Sequence, residues 1–521
     1  MIGAAIHIAR MARAGFVLAR EGALGLVDPS VLPPLPRLGL KLARLVERRD
    51  AGSSRSRLSA ALVRLGPSYV KFGQFLATRP DIVGFQAARD LESLQDRLPP
   101  FPREEAVRVV EEALGRPIEA IFSHFGEPVA AASIAQVHRA VMRTPEGGEQ
   151  VVAVKVVRPG VRQRFSQDLQ DMRFAARVFE GYDPEARRLK MVEVVETLAR
   201  SVVIEMDLRL EAAALSELAD NTKNDFEFRV PKPEWDLTDR EVLTLEWIDG
   251  VKLNKPDEID AAGHDRVALA RIVIQSFLRQ AIRDGFFHAD MHPGNLFVDP
   301  RGRLVAVDTG IMGRLGHRER RFLAEILLGF IRRDYVRVAE VHFEAGYVPP
   351  RHSVLDFAQA IRAIGEPIHD RRADEISMAR VLALLFEVTA IFEMQTRTEL
   401  VMLQKTMVVV EGVARRLDPH LDMWTIAEPV VREWIERNLG PIGKIEDVGR
   451  GARTLFGVLQ DLPDIAVRAE RLLVQLEQGT ERGIALAPSS IERAGEAAAG
   501  RGRALVIGVW VIAIALVLGL F

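Results

Sequence analysis

The 521 residues contain no cysteine. That excludes disulfides, zinc–thiolate sites and cysteine nucleophiles, and it is compatible with a reducing compartment. Net charge is nearly absent as well: 70 Lys and Arg stand against 72 Asp and Glu, a formal charge of −2. No global basic field therefore points to nucleic acid. Hydrophobic residues make up 48% and charged residues 27%, an ordinary globular balance with material for a core. The length suggests more than one folding unit. We see no internal repeat. An uninterrupted apolar run occurs at the end, where Ala504 to Phe521 carry no charge. As a helix this run spans about 27 Å, close to the hydrocarbon thickness of a bilayer. Arg501 and Arg503 precede it, and positive charge beside a span keeps the preceding chain cytoplasmic. Met1 to Val27 mixes apolar residues with Arg10, Arg13 and Arg20. That argues against a secretory signal and for an amphipathic helix, packed on its own domain or lying on an anionic membrane face.

Residues 1–125 read as a mostly helical extension, broken at Pro33–Pro36 and Pro99–Pro102. Residues 126–250 hold strand signals: Gln136–Met142, Val151–Val157, Phe226–Val230 and Glu241–Ile248. The turn sequence Thr144-Pro145-Glu146-Gly147-Gly148 joins the first two strands as a hairpin, and one long helix, Arg187–Asn221, separates the pairs. Residues 251–480 read as helical except for a second hairpin, Leu296–Val298 and Leu304–Val307 around Asp299-Pro300-Arg301-Gly302. Residues 481–503 read as a linker and 504–521 as the span. The expected fold class is α+β: two lobes with a cleft between them, where a ligand commonly sits.

The densest chemical signal is His288-Ala289-Asp290-Met291-His292-Pro293-Gly294-Asn295, followed by Asp308-Thr309-Gly310 directly after an apolar strand. Phosphoryl transfer needs these residue types. One carboxylate orients or deprotonates the attacking hydroxyl, while an amide oxygen and a second carboxylate hold magnesium against phosphates. The kinase catalytic loop has the same Asp-to-Asn spacing, followed by a hairpin and Asp-x-Gly. Within Val152-Ala153-Val154-Lys155-Val156, a lysine stands in an apolar strand, where its charge must be paired. In kinases such a lysine reaches the nucleotide phosphates and pairs with a helix glutamate. Glu211 is the expected partner. About 20 residues before Lys155 stands Ala130-Ala131-Ala132-Ser133, where a kinase has a glycine-rich loop. Alanine resists positive φ, so this loop should cover phosphates differently. Two further elements do not belong to an ordinary kinase: Lys71-Phe72-Gly73-Gln74, and Glu205-Met206-Asp207. On one helix, Asp207 and Glu211 would share a face and would repel unless a cation intervened. Lys155 could serve one, and Lys71 or a metal the other.

Together these motifs resemble the UbiB family of atypical kinases, over residues 20–480 and in the family's order. The resemblance implies a protein-kinase-like two-lobed fold, a lid-like helical extension over the site and a C-terminal transmembrane helix. It implies ATP and Mg2+ as ligands and a task in ubiquinone biosynthesis. It makes Lys155 and Glu211 the ion pair on the nucleotide, Asp290 catalytic, and Asn295 and Asp308 metal ligands. Lys71 and Gln74 would reach in from the extension to face Glu205 and Asp207. Thr309 stands where phenylalanine is commoner and lacks the ring that packs on the glutamate-bearing helix. Implied partners are membrane lipid and quinone-biosynthesis enzymes or lipid-like quinone intermediates, with no nucleic acid and with a homodimer left open. The implied location is the bacterial inner membrane, with one C-terminal pass and the catalytic domain facing the cytoplasm. The alternative function is an ATP-gated scaffold without phosphoryl transfer. A conventional small-molecule phosphotransferase shares the His-x-Asp loop but not the Lys-x-Gly-Gln segment.

Overall fold

The computed structural model describes residues 2–23, 46–48, 54–77, 99–144, 147–182, 190–368, 391–394 and 398–439, with isolated positions among 83–94 and 384–389. The expected linker at 481–503 and membrane helix at 504–521 lie outside the described residues. Among those described, no helix is long and apolar enough to cross a membrane. The described residues fall into two compact units. One comprises 2–16 and 435–439; the other comprises the rest, and every contact below lies within it.

Helix α1 (Ile2–Arg20) opens the chain, and α2 (Ser54–Leu65) and α3 (Pro67–Ala77) follow. Helix α3 carries Lys71, Gly73 and Gln74. Gly73 has a steric reason: a Cβ there would sit 2.5 Å from the Leu94 side chain and 2.6 Å from that of Leu62. Leu62, Leu91 and Leu94 form the small core of this region.

Next come α4 (Arg103–Leu114), α5 (Ile118–Ile121) and three strands, β1 (Phe122–Ala131), β2 (Ala135–Arg143) and β3 (Glu149–Val157). Strand β5 (Val242–Glu246) completes an antiparallel sheet in the order β1-β2-β3-β5. Alternation in β3 decides what each face does. Val152, Val154 and Val156 are fully buried against Ala106, Val109 and Val110 of α4. Lys155 points from the other face. Strand β1 lies outside the strands expected from sequence; it carries Gly126 and Pro128, residue types that strand interiors disfavour. It forms at the sheet edge, with register shifts on both sides of Pro128, and there a missing N–H donor costs no ladder bond.

Between β3 and β5 lie α6 (Val161–Tyr182), α7 (Met191–Glu205), α8 (Leu208–Thr222) and the short β4 (Phe228–Arg229). The single long helix expected over 187–221 is thus two. The chain leaves helical geometry at Asp207 (φ −106°, ψ 94°), whose side chain caps α8 by accepting from the Arg209 N–H. An aspartate able to bond backbone N–H groups two residues on is a strong start signal for a new helix.

The helical lobe holds β6 (Val251–Lys252), α9 (Pro256–Ala261) and α10 (Arg266–Leu278), whose last six residues are all buried. A π-helical turn, Arg279–Asp284, leads into β7 (Phe286–His288). The expected hairpin is β8 (Leu296–Val298) and β9 (Leu304–Ala306), and β10 (Met312–Arg314) pairs with β7. Strands β4, β9, β8 and β6 form one sheet. Helices α11 (His317–Arg332), α12 (Tyr335–Glu344), α13 (Val354–Gly365), α14 (Thr398–Leu417) and α15 (Met423–Leu439) follow.

Candidate functional site

Strand β3 delivers Lys155 and the first turn of α8 delivers Glu211. Lys155 Nζ lies 2.8 and 2.9 Å from the two Glu211 carboxylate oxygens, and 3.5 Å from Asp308 Oδ1. Burial alone would lower the Lys155 pKa, but the charges of Asp308 and Glu211 outweigh it and raise it. Lys155 in turn holds the Asp308 carboxyl down at about 2, against the opposing effect of burial and with help from the Gly310 N–H. Burial raises Glu211 to about 7; Lys155 opposes that shift and Asp308 adds to it. The site therefore holds a charged lysine and an ionised Asp308. Glu211 is the group nearest its titration point.

The loop after β7 carries Asp290. Asn295 Nδ2 donates to the Asp290 carbonyl (3.3 Å) and to Asp290 Oδ2 (3.1 Å). Its amide oxygen is the atom left for a cation. The Asn295 carbonyl accepts from the Val307 N–H at 3.0 Å, which ties this loop to the strand end bearing Asp308. His288 is fully buried, and its Nδ1 accepts from the Asp290 N–H at 3.1 Å. Burial lowers its pKa. With Nδ1 accepting, the neutral ring carries its proton on Nε2. Thr309 is buried, and its hydroxyl donates to the Glu211 carbonyl at 3.3 Å. A polar tie to α8 thus stands where an aromatic ring packs in most kinases.

Ala130 and Ala131 end β1, and Ala132 and Ser133 form the turn into β2. None of the four has positive φ, so the turn is not glycine-like. Arg158, just past β3, pins it: Nε donates to the Ala132 carbonyl at 2.8 Å and Nη2 to the Pro99 carbonyl at 2.9 Å. The sequence reading missed Arg158. Its place between an apolar strand and Pro159-Gly160 was the available signal.

From the extension, Lys71 Nζ lies 2.5 Å from Glu205 Oε2, both side chains being nearly buried. Lys71 also contributes to holding Asp308 down, so its charge is felt in the cleft. Two expectations need correction. Asp207 does not face Lys71; its carboxylate pairs with Arg209 (2.7 Å) and Arg240 (3.8 Å) and caps α8. The helix break turns it away from the face it would share with Glu211. Gln74 does not reach Glu205 or Asp207. Its Nε2 makes a long 3.5 Å contact with the Leu94 carbonyl and closes the extension on itself.

The donor set suits magnesium. Asp308 is ionised and Asn295 offers a neutral amide oxygen, both hard ligands. Mg2+ is commonly held by one or two protein groups together with substrate phosphates and water. Among the described residues no cluster of three or more His, Asp or Glu could hold a metal.

A lysine–glutamate pair under a four-stranded antiparallel sheet faces a helical lobe with an Asp–Asn loop and an Asp-x-Gly turn. That arrangement defines a protein-kinase-like fold. Residues 93–342 match the ABC1 atypical kinase-like domain, and residues 361–422 the UbiB helical domain. The chain is 42% identical over 397 residues to a probable protein kinase UbiB of Marinobacter nauticus, covering 75% of this chain and 72% of that one. Among solved structures it is similar to Rv3197 of Mycobacterium tuberculosis in complex with erythromycin. The TM-score is 0.52 and the identity 25%, over 72% of this chain and 95% of that one. The chain belongs to the UbiB family of atypical kinases.

Proposed function

We propose that this chain binds magnesium-ATP in the cleft and uses it as an atypical kinase or ATPase in support of ubiquinone biosynthesis. The observation that carries this reading is Lys155, bridged to the buried Glu211 and to Asp308, whose side chain is 43% exposed toward the cleft. Lys155 would hold nucleotide phosphates, with the Ala130–Ser133 turn covering them. Asn295 and Asp308 would hold magnesium, which when bound neutralises charge on the transferring phosphoryl group. Asp290, its carboxylate oriented by Asn295, would accept the proton of an attacking hydroxyl or water. The acceptor class we propose is lipid-like: a quinone precursor or a neighbouring membrane lipid. The Lys71–Glu205 pair holds the extension beside the cleft and disfavours a bulky protein substrate. We place the protein at the bacterial inner membrane by the uncharged run 504–521, with its catalytic part in the cytoplasm and quinone-biosynthesis enzymes as partners.

The same pair favours a second reading, an ATP-gated scaffold for those enzymes. One set of strains decides between the two. In a deletion strain, wild type should restore quinone levels. Asp290→Asn should bind Mg-ATP with affinity within about threefold of wild type yet fail to restore them, since it removes proton acceptance but little ground-state binding. Full rescue by Asp290→Asn leaves the scaffold, and absence of nucleotide binding by wild type sinks both. A chain ending at residue 503 should move from the membrane to the soluble fraction; if it does not, the tail is not the anchor.

A further inference from the structure

The backbone that carries Asp290 is held at three successive residues, twice by side chains from outside the loop. The His288 N–H donates to Gln280 Oε1 at 3.1 Å. The Ala289 carbonyl accepts from Thr406 Oγ1 at 2.9 Å. The Asp290 N–H donates to His288 Nδ1 at 3.1 Å.

Neither outside residue is explained by its own element. Gln280 is fully buried in the π-helical turn 279–284. Such turns are rare, frequently lie at functional sites, and re-aim side chains off the helix face. Its Oε1 is used on β7, while Nε2 has no protein partner. A buried amide satisfied at one end only is a poor choice for stability, and an apolar residue of like volume would serve better. Thr406 is fully buried in α14. Its hydroxyl also lies 2.9 Å from the carbonyl of Met402, four residues earlier. That local bond would satisfy a helical threonine by itself. The single proton is instead shared with the loop. Helix α14 lies within residues 361–422, the stretch that matches the UbiB helical domain.

We propose that Gln280 and Thr406 are positioning residues for Asp290, so that the helical stretch 361–422 sets the geometry of the catalytic loop. The proposal rests on the reading of Asp290 as catalytic. A carboxylate that must meet an attacking hydroxyl has to be held to a fraction of an ångström. The two side chains supply that hold by fixing the carbonyl and N–H groups on its N-terminal side. Asp290 Oδ2 accepts from Asn295 Nδ2 at 3.1 Å, and holding the loop through its backbone adds no further bond to the carboxylate, which leaves Oδ1 to accept a proton.

The test uses the full-length protein and two readouts: ATP turnover, and hydrogen exchange of the amides in 286–295. Thr406→Val keeps shape and removes the hydroxyl; Gln280→Leu removes the acceptor. Each should lower kcat by about tenfold to a hundredfold. The KM for ATP should stay within about twofold, because Lys155 and Glu211 are untouched. Exchange at His288 or Asp290 should quicken, and Thr406→Ser should restore both readouts. Unchanged exchange in both variants overturns the proposal. So does a Thr406→Ser variant as impaired as Thr406→Val, or a rise in KM that accounts for the whole loss. Should Thr406→Val fail to fold, Gln280→Leu and Gln280→Glu decide, the glutamate retaining the acceptor. If wild type turns over no ATP, the parent reading fails, and the exchange readout alone settles whether the clamp exists.

Discussion

Glu211 sits where two demands conflict. It is buried on α8, which favours its neutral form, and it faces Lys155, which favours its charge. Burial prevails and raises its pKa from 4.5 to about 7. A carboxyl whose folded pKa is raised binds its proton more tightly in the folded than in the unfolded state. Its contribution to stability is whole below about pH 4.5 and is lost as pH climbs through 7. Stability from urea denaturation should therefore fall across that window, by up to about 3 kcal/mol from this group. Glu211→Gln should flatten the fall, and identical slopes for variant and wild type would remove Glu211 as its cause. Asp308 behaves oppositely. Lys155 keeps its pKa at about 2, so its ionised state is lost only as pH drops toward that value. Protonation of Asp308 is therefore not expected to contribute to any loss of function near pH 5. The types and spacing of Lys155, Asp290, Asn295 and Asp308 were legible from sequence because phosphoryl transfer leaves few alternatives. The titration order among them was not, since it depends on burial and on distances across three elements.

At the scale of elements, the break between α7 and α8 matters most. A continuous helix would set Asp207 on one face with Glu211. The break instead makes Asp207 a cap, held by Arg209 and Arg240, while Glu205 at the end of α7 meets Lys71. Asparagine caps as well as aspartate does, and alanine does not. Asp207→Ala should cost about 1 kcal/mol in denaturation experiments, and Asp207→Asn a few tenths. Nucleotide affinity should be near wild type in both. A large affinity loss in Asp207→Asn would make Asp207 a ligand of the site after all. Strand β1 teaches a similar lesson. Gly126 and Pro128 are residue types that strand interiors disfavour, yet an edge position absorbs both through register shifts.

For the folded unit as a whole, the extension and the kinase-like lobe meet through Lys71 and Glu205, both nearly buried. Breaking a buried pair from one side leaves the other charge without compensation. Lys71→Met should destabilise the protein by about 3 kcal/mol, less where water reaches Glu205. It should also change Mg-ATP affinity, since Lys71 contributes to the field at Asp308. A melting temperature and a nucleotide titration equal to wild type would reduce Lys71 to a surface residue.

Sequence by itself determined the chemistry available to this protein. The order Lys71, Lys155, Glu211, Asp290, Asn295, Asp308 is what the proposed cleft for phosphates and a hard cation rests on, because residue type and spacing carry that information locally. Strand alternation around Lys155 showed which side chain must be paired. Tertiary structure decided the partners. It gave Lys71 to Glu205 rather than to Asp207, turned Gln74 back onto its own region, tied Thr309 to α8, and set Gln280 and Thr406 on the backbone beside Asp290. Most of those choices join residues far apart in the chain, and all depend on burial and backbone geometry that no local pattern encodes.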